Sequence, residues 1–189
     1  RTAKNLAGFA ASVASNHGFY IARYEASWGT GNKVKSRVSE GTIRESSTNS
    51  KRNGQLWNCI NQINAAEFCE NLYSEINSDL MNSYAWDTAI VYIQAFSGDE
   101  DYSYQTSLNT DNNPVNTGTI GDEVCKIHDM ASNAKEWTTE YCSYNYGGYA
   151  YPGTLRGGCA GDGGYYNAGS RGERSDGRIT LEHNTKTFR

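Results

Sequence analysis

The histidines of this chain are His17, His128 and His183, and no two share the spacing that puts a metal pair on one helix face. His17 stands before Gly18 at the end of an apolar-periodic stretch, which suits a helix cap or surface residue. His128 adjoins Asp129, a pair that permits acid–base chemistry, although a histidine in a structural turn is the commoner case. The five cysteines, Cys59, Cys69, Cys125, Cys142 and Cys159, are widely spaced and form no C-x-x-C pair of the kind zinc sites use. Two readings stay open for them: disulfides in an oxidising compartment, or buried thiols. Carboxylates cluster at Asp99-Glu100-Asp101 and Asp122-Glu123. Calcium takes such hard oxygen ligands, but the EF-hand spacing is absent and a solvated acidic loop is the stronger reading. No G-x-S-x-G elbow or P-loop occurs, and Gly161-Asp162-Gly163-Gly164 opens no helix that would bind phosphate. The expectation is no catalytic residue and no cofactor, with structural calcium the one exception left open.

The stretch from Ser143 to Arg171 suits a different chemistry. It holds Tyr144, Tyr146, Tyr149, Tyr151, Tyr165 and Tyr166 among Gly, Ser and Asn, with no Lys, Glu, Gln, Met or Trp. This is the palette of an antibody paratope, where Tyr gives rigid contact area and Ser, Gly and Asn adapt their hydrogen bonds. The competing reading is a Tyr/Gly-rich packing of β-turns. Against it, the tyrosines come too densely for all to be buried, and the glycines beside them leave rings uncovered. The expected ligand-binding residues are Tyr144, Tyr146, Tyr149, Tyr151, Asp162, Tyr165, Tyr166, Asn167 and Glu173, on loops 143–151 and 160–177.

The elements that must position these loops are legible in outline. Leu6, Phe9, Ala10 and Val13 give residues 1–17 an apolar helical face. Phe19 to Ala26 reads as a strand, and 28–56 as a polar loop with at most short strands. A helix is expected at 57–73 with Ile60, Ile63, Ala66, Phe68, Cys69 and Leu72 on its stripe. Another is expected from Leu80 to Phe96, capped by Asn77-Ser78-Asp79, with Leu80, Tyr84, Ala85, Thr88, Val91, Tyr92 and Ala95 on one side. Residues 97–122 form a polar loop long enough to suggest a functional role. Ala134 to Tyr141 alternates like a strand.

The totals bound the class. At 189 residues the chain suits one domain, 1–189, with its own core. Aromatics reach 12%, which rules out a disordered composition. Net charge is -4 and no basic patch stands out, so nucleic acid is not an expected partner. The apolar run Thr88–Ile93 is too short to span a bilayer, so membrane insertion is not expected. The start, Arg1-Thr2-Ala3-Lys4, reads as a trimmed end and not as a signal peptide.

An ordered series of motifs resembles the formylglycine-generating-enzyme-like superfamily. Ile127-His128-Asp129-Met130-Ala131-Ser132-Asn133-Ala134-Lys135-Glu136-Trp137-Thr138 is similar to its D-M-x-G-N-x-x-E-W-T signature. Leu155-Arg156-Gly157-Gly158 matches its R-G-G step, Ser170–Arg174 its R-x-x-R segment and Phe188-Arg189 its closing G-F-R. Upstream, Phe19–Glu25 is similar to the opening strand, and Phe68–Leu72 and Tyr84–Asp87 to the two helices. The sequence departs from the pattern at Ser132, Lys135 and Thr187.

The resemblance implies an α+β chain with a C-type lectin-like fold, two helices packed on small antiparallel sheets with much irregular loop. It implies scaffold roles for Trp137 as core anchor and for Asn133, Arg156 and Arg174 in fixing turns. The family's enzymes carry a cysteine pair shortly after a G-G-S step. Here that step is Gly157-Gly158-Cys159, and the paired positions fall near Asp162 and Asn167, neither of them Cys. Another branch, the variable proteins of diversity-generating retroelements, uses the scaffold to hold a hypervariable ligand site near its C-terminal end. Similarity to that branch implies a variable region at 143–183 and a protein or glycan receptor as partner. It also implies residence on a virion or cell surface. The rival readings are a formylglycine-generating-like oxidoreductase and a calcium-dependent carbohydrate-binding lectin.

Overall fold

The computed structural model describes residues 5–29, 31, 33–36, 56–73, 75–141, 145–146, 149–150, 153–172 and 186–189, with backbone only at 33, 36, 145–146 and 149–150. Among these, three helices share one starting device. Helix α1 (Leu6–Asn16), α2 (Gln62–Glu70) and α3 (Ser83–Phe96) each follow an asparagine whose side chain accepts a first-turn backbone N–H. The pairs are Asn5 with Gly8, Asn61 with Asn64 and Asn82 with Ala85, at 2.8–2.9 Å. Such a cap satisfies one of the orphan donors that every helix start leaves. His17 ends α1 in the left-handed conformation (φ 57), the capping role its position before Gly18 suggested.

Both central helices begin later than their sequence patterns predict, because the residues before them serve the core directly. Trp57 is fully buried and donates its backbone N–H to Ala26 O, and Ser27 and Leu56 bridge. The chain therefore runs as a buried extended segment before Asn61 turns it into α2. The buried face of α3 is Ala85, Trp86, Ala89, Ile90 and Ile93, while Val91 and Tyr92 are exposed. The predicted stripe is thus rotated by about one residue. Trp86 accounts for the rotation, since its indole N–H donates to Ala168 O at 2.8 Å from inside the core.

Strands β1 (Ala26–Gly29) and β2 (Lys33–Ser36) pair antiparallel. The strand expected at 19–26 is reduced to its last residue. Its carbonyls are used elsewhere: Arg23 O accepts from His128 N, and Ala22 O and Arg23 O lie within reach of the Arg189 guanidinium. Strands β3 (Glu123–Val124) and β4 (Ile127–His128) form a short pair, as do β6 (Asn145–Tyr146) and β7 (Tyr149–Ala150). The main sheet joins β5 (Lys135–Tyr141), β8 (Gly153–Arg156), β9 (Arg171–Gly172) and β10 (Lys186–Phe188) in the order β10-β5-β8-β9. Its β10–β5 pair is parallel, so the sheet is mixed and not purely antiparallel.

The architecture is mixed α+β, with two apolar clusters, the second of which includes residues of this sheet. One unites α1 and α3 through Phe9, Trp86, Ile90 and Ile93 with Tyr102 and Met130. The other unites α2 with Trp57, Trp137, Leu155 and Phe188. Trp137 is fully buried and its indole N–H donates to Ile60 O at 2.8 Å. Among the described residues no helix is long and apolar enough to cross a membrane.

A buried ionic group locks the sheet to the N-terminal segment. Arg189 spans both carboxylate oxygens of Glu136 and also donates to His128 O. Glu25 accepts from Asn133 Nδ2 and from Ala134 N. Burial first, then the charges of Asp129 and Glu136, raises the Glu25 carboxyl well above the usual carboxylate range.

Candidate functional site

The region between Gly157 and Gly172 is loop in its middle and strand at its ends, and it is tied down at closely spaced points. Gly157 has φ 80, and a Cβ there would lie 2.6 Å from Met130 O. A Cβ on Gly158 would lie 2.3 Å from Ala131 O. Both contacts are against backbone, so the R-G-G step needs glycine to let two chain segments touch. Ala160 N donates to Asn133 O, Ala168 N to Gln105 O and Gly169 N to Ser103 O. Arg156, almost fully buried, ion-pairs with Asp87 on α3 and donates to Gly169 O. Burial lowers the Arg156 pKa, while Asp87 opposes that shift.

Four of the nine predicted ligand-binding residues have described side chains, and they divide sharply. The Asp162 carboxylate accepts from Cys159 N at 2.9 Å and Gly164 N at 2.8 Å, so it closes the turn on which it sits. Asn167 and Ser170 exchange a second set of turn bonds: Asn167 N donates to Ser170 Oγ, and that hydroxyl donates to Asn167 Oδ1. The Tyr166 ring is half-buried under the Lys135 ammonium, 3.5 Å from its centroid. Tyr165 alone among the four stands clear, with 88% of its surface exposed.

Tyr146 and Tyr149 are backbone partners across the β6–β7 pair. Tyr144, Tyr151 and Glu173 lie outside the described residues, as do Arg174 and all the rest of 173–183.

A second loop joins this face. Thr106 bridges to Asn167, and with the bonds from Ala168 and Gly169 this makes residues 103–106 a short backbone partner of the tail loop. Tyr104, 73% exposed, sits on that partner segment, and the half-exposed Leu108 follows it. Neither was selected from the sequence. The available signal was the length of the 97–122 loop, together with the absence of any Lys or Arg from 53 to 125. Asp99, Glu100, Asp101 and Asp111 of that loop are exposed.

The residues with catalytic or metal-binding potential have structural partners. Asp129 accepts from Thr117 Oγ1 and Gly118 N, and Asp122 accepts from Tyr102 Oη and Ala131 N. His128 stacks on Tyr24 at 4.3 Å, and burial holds its pKa below the usual histidine value. Glu123 pairs with Lys126 at 3.1 Å. Cys159 is buried, and Cys69 is buried with its thiol pushed well up by desolvation. Among the described residues no group of three or more His, Cys, Asp or Glu is arranged to hold a metal ion. Asn133, at φ 70, accepts from Val115 N and donates to Val115 O and Glu25, which fixes the turn before β5.

No family model matches the chain, and no curated protein aligns with it.

Proposed function

We propose that this chain is a ligand-binding domain of C-type lectin-like fold that displays a variable Tyr/Gly/Asn/Ser-rich face. In this reading it is the variable protein of a diversity-generating retroelement and not an enzyme. It acts as a receptor-binding or adhesion protein on a virion or cell surface, with a protein or glycan receptor as its partner.

The observation that supports the reading best is the division of labour in the tail loop. Asp162, Tyr166 and Asn167 are spent on holding the loop, whereas Tyr165 presents its ring to solvent. A rigid platform with outward aromatic groups suits binding by contact area with little ordering cost. A scaffold whose outward positions carry few packing duties also tolerates replacement there.

The test is amplicon sequencing of the gene from a growing population that carries it. Substitutions should concentrate at adenine positions in codons 143–183 and be absent from codons 123–141. An even spread of substitutions over both regions refutes the proposal.

A further inference from the structure

We propose that the outward face of α3 is a self-association surface, on which a second copy of this chain docks its own α3 antiparallel. Val91 is 65% exposed, Phe96 is 73% exposed and Tyr92 is half-exposed, and Thr88 and Ala95 are exposed beside them at helical spacing. The Tyr92 and Phe96 rings pack on each other at 4.8 Å, so the face presents a joined aromatic pair to solvent and not scattered single groups. Contiguous exposed apolar surface of this kind marks an interaction site. The face does not depend on the display reading, because its apolar residues all lie on α3.

Charge selects the occupant. No charged residue occurs from Thr88 to Gly98, and α1, whose Phe9 stacks on Tyr84 of α3, carries no Asp, Glu, Lys or Arg from Leu6 to Asn16. Such a face meets its own copy without like-charge repulsion. Its two ends differ. At the start of α3, Asp87 pairs with Arg156 and Arg171, and Arg171 also lies 3.5 Å from Glu140, so two carboxylates balance two guanidinium groups. The Arg171 side chain is 41% exposed there. Past the end of α3 stand the exposed Asp99, Glu100 and Asp101, in a stretch, 88–125, that holds no Lys or Arg.

The two ends lie about 18 Å apart along the helix. An antiparallel arrangement about a two-fold axis near Tyr92 sets each acidic end beside the exposed Arg171 of the other copy, whereas a parallel one stacks two acidic ends. A two-fold contact is also self-complementary, so it closes at the dimer. The 14 residues of α3 span about 21 Å, and one helix face is about 10 Å wide, a small patch beside the ~800 Å² per partner of a standard interface. The dimer is accordingly weak, with a dissociation constant on the order of tens of micromolar.

Sedimentation equilibrium of the whole chain under reducing conditions, from low micromolar to several hundred micromolar, tests this. A monomer–dimer equilibrium is expected, with no larger species. Val91→Lys and Phe96→Lys should each weaken the dimer at least tenfold. Both positions are exposed and Lys is a good helix former, so the melting temperature of the dilute protein should stay within about 2 °C of wild type. Glu100→Lys should weaken the dimer severalfold at low salt and less at high salt, because a cation then faces Arg171. A chain that stays monomeric at every concentration overturns the proposal, as does a dimer that survives both substitutions on α3. Assembly beyond the dimer overturns the two-fold docking, and a Glu100→Lys variant that associates like wild type at low salt overturns the antiparallel arrangement. None of these outcomes bears on the tail-sequencing test, so the two proposals fail separately.

Discussion

Replacing Arg189 with Met puts the buried ionic lock to its hardest test. The guanidinium is fully enclosed and engages both oxygens of Glu136, so its removal leaves a carboxylate unpaired in the core together with His128 O. Breaking a buried pair from one side costs about 3–5 kcal/mol. For a domain of this size each kcal/mol moves Tm by about 2–4 °C, so a drop of roughly 10 °C is expected. The loss also has a pH signature. The Glu136 carboxyl is already raised above its usual range by burial, with Arg189 the main opposing influence. Without Arg189 its folded pKa rises further. A raised carboxyl contributes stability that is complete below the unfolded pKa and lost as pH climbs through the folded one. The deficit of Arg189→Met should therefore widen from pH 5 to pH 8, and adding Glu136→Gln should recover part of it at pH 8. Thermal melts read by circular dichroism decide the matter. A Tm change under 2 °C, or a deficit that shrinks with rising pH, refutes the reasoning.

Glu25→Gln should follow the same sign. Its carboxyl is raised well above normal, so the wild type loses this contribution as pH rises, and the variant should gain on wild type between pH 5 and pH 8 in paired melts. Gly158→Ala should cost about 3 kcal/mol or more in a urea titration, because its new methyl meets the Ala131 carbonyl and neither backbone can yield cheaply. Tyr166→Ser should cost about 1–2 kcal/mol through the lost contact with Lys135. Tyr165→Ser should stay within about 0.5 kcal/mol of wild type in the same titration.

What the sequence revealed follows from how local each signal is. The left-handed His17 and the β5 strand rest on neighbours in the chain and were located to within a few residues, whereas the caps Asn5 and Asn61 were not picked out and the cap expected at Asn77-Ser78-Asp79 falls to Asn82, because α3 starts later than its apolar pattern. The rotation of the α3 face was not legible, because it depends on Trp86 meeting Ala168, 82 residues away. The same holds for Arg189 with Glu136 and for Glu25 with Asn133, whose partnership exists only once the sheet is assembled. At the loop face, composition identified a segment but could not separate Tyr165 from Tyr166. One ring faces water and the other lies under a lysine from β5, a difference that no property of the tail encodes. Tyr104 was missed for the same reason, since the segment it occupies joins the face through long-range backbone bonds.

The central claim is that the tail loop is a rigid platform whose outward ring has no folding duty. A surface-displayed library saturating Asp162, Tyr165, Tyr166 and Asn167, sorted for folded expression, tests it most directly. Tyr165 should accept nearly every residue, while Asp162, Tyr166 and Asn167 should be depleted of most. Depletion at Tyr165 as strong as at Tyr166 would contradict the account.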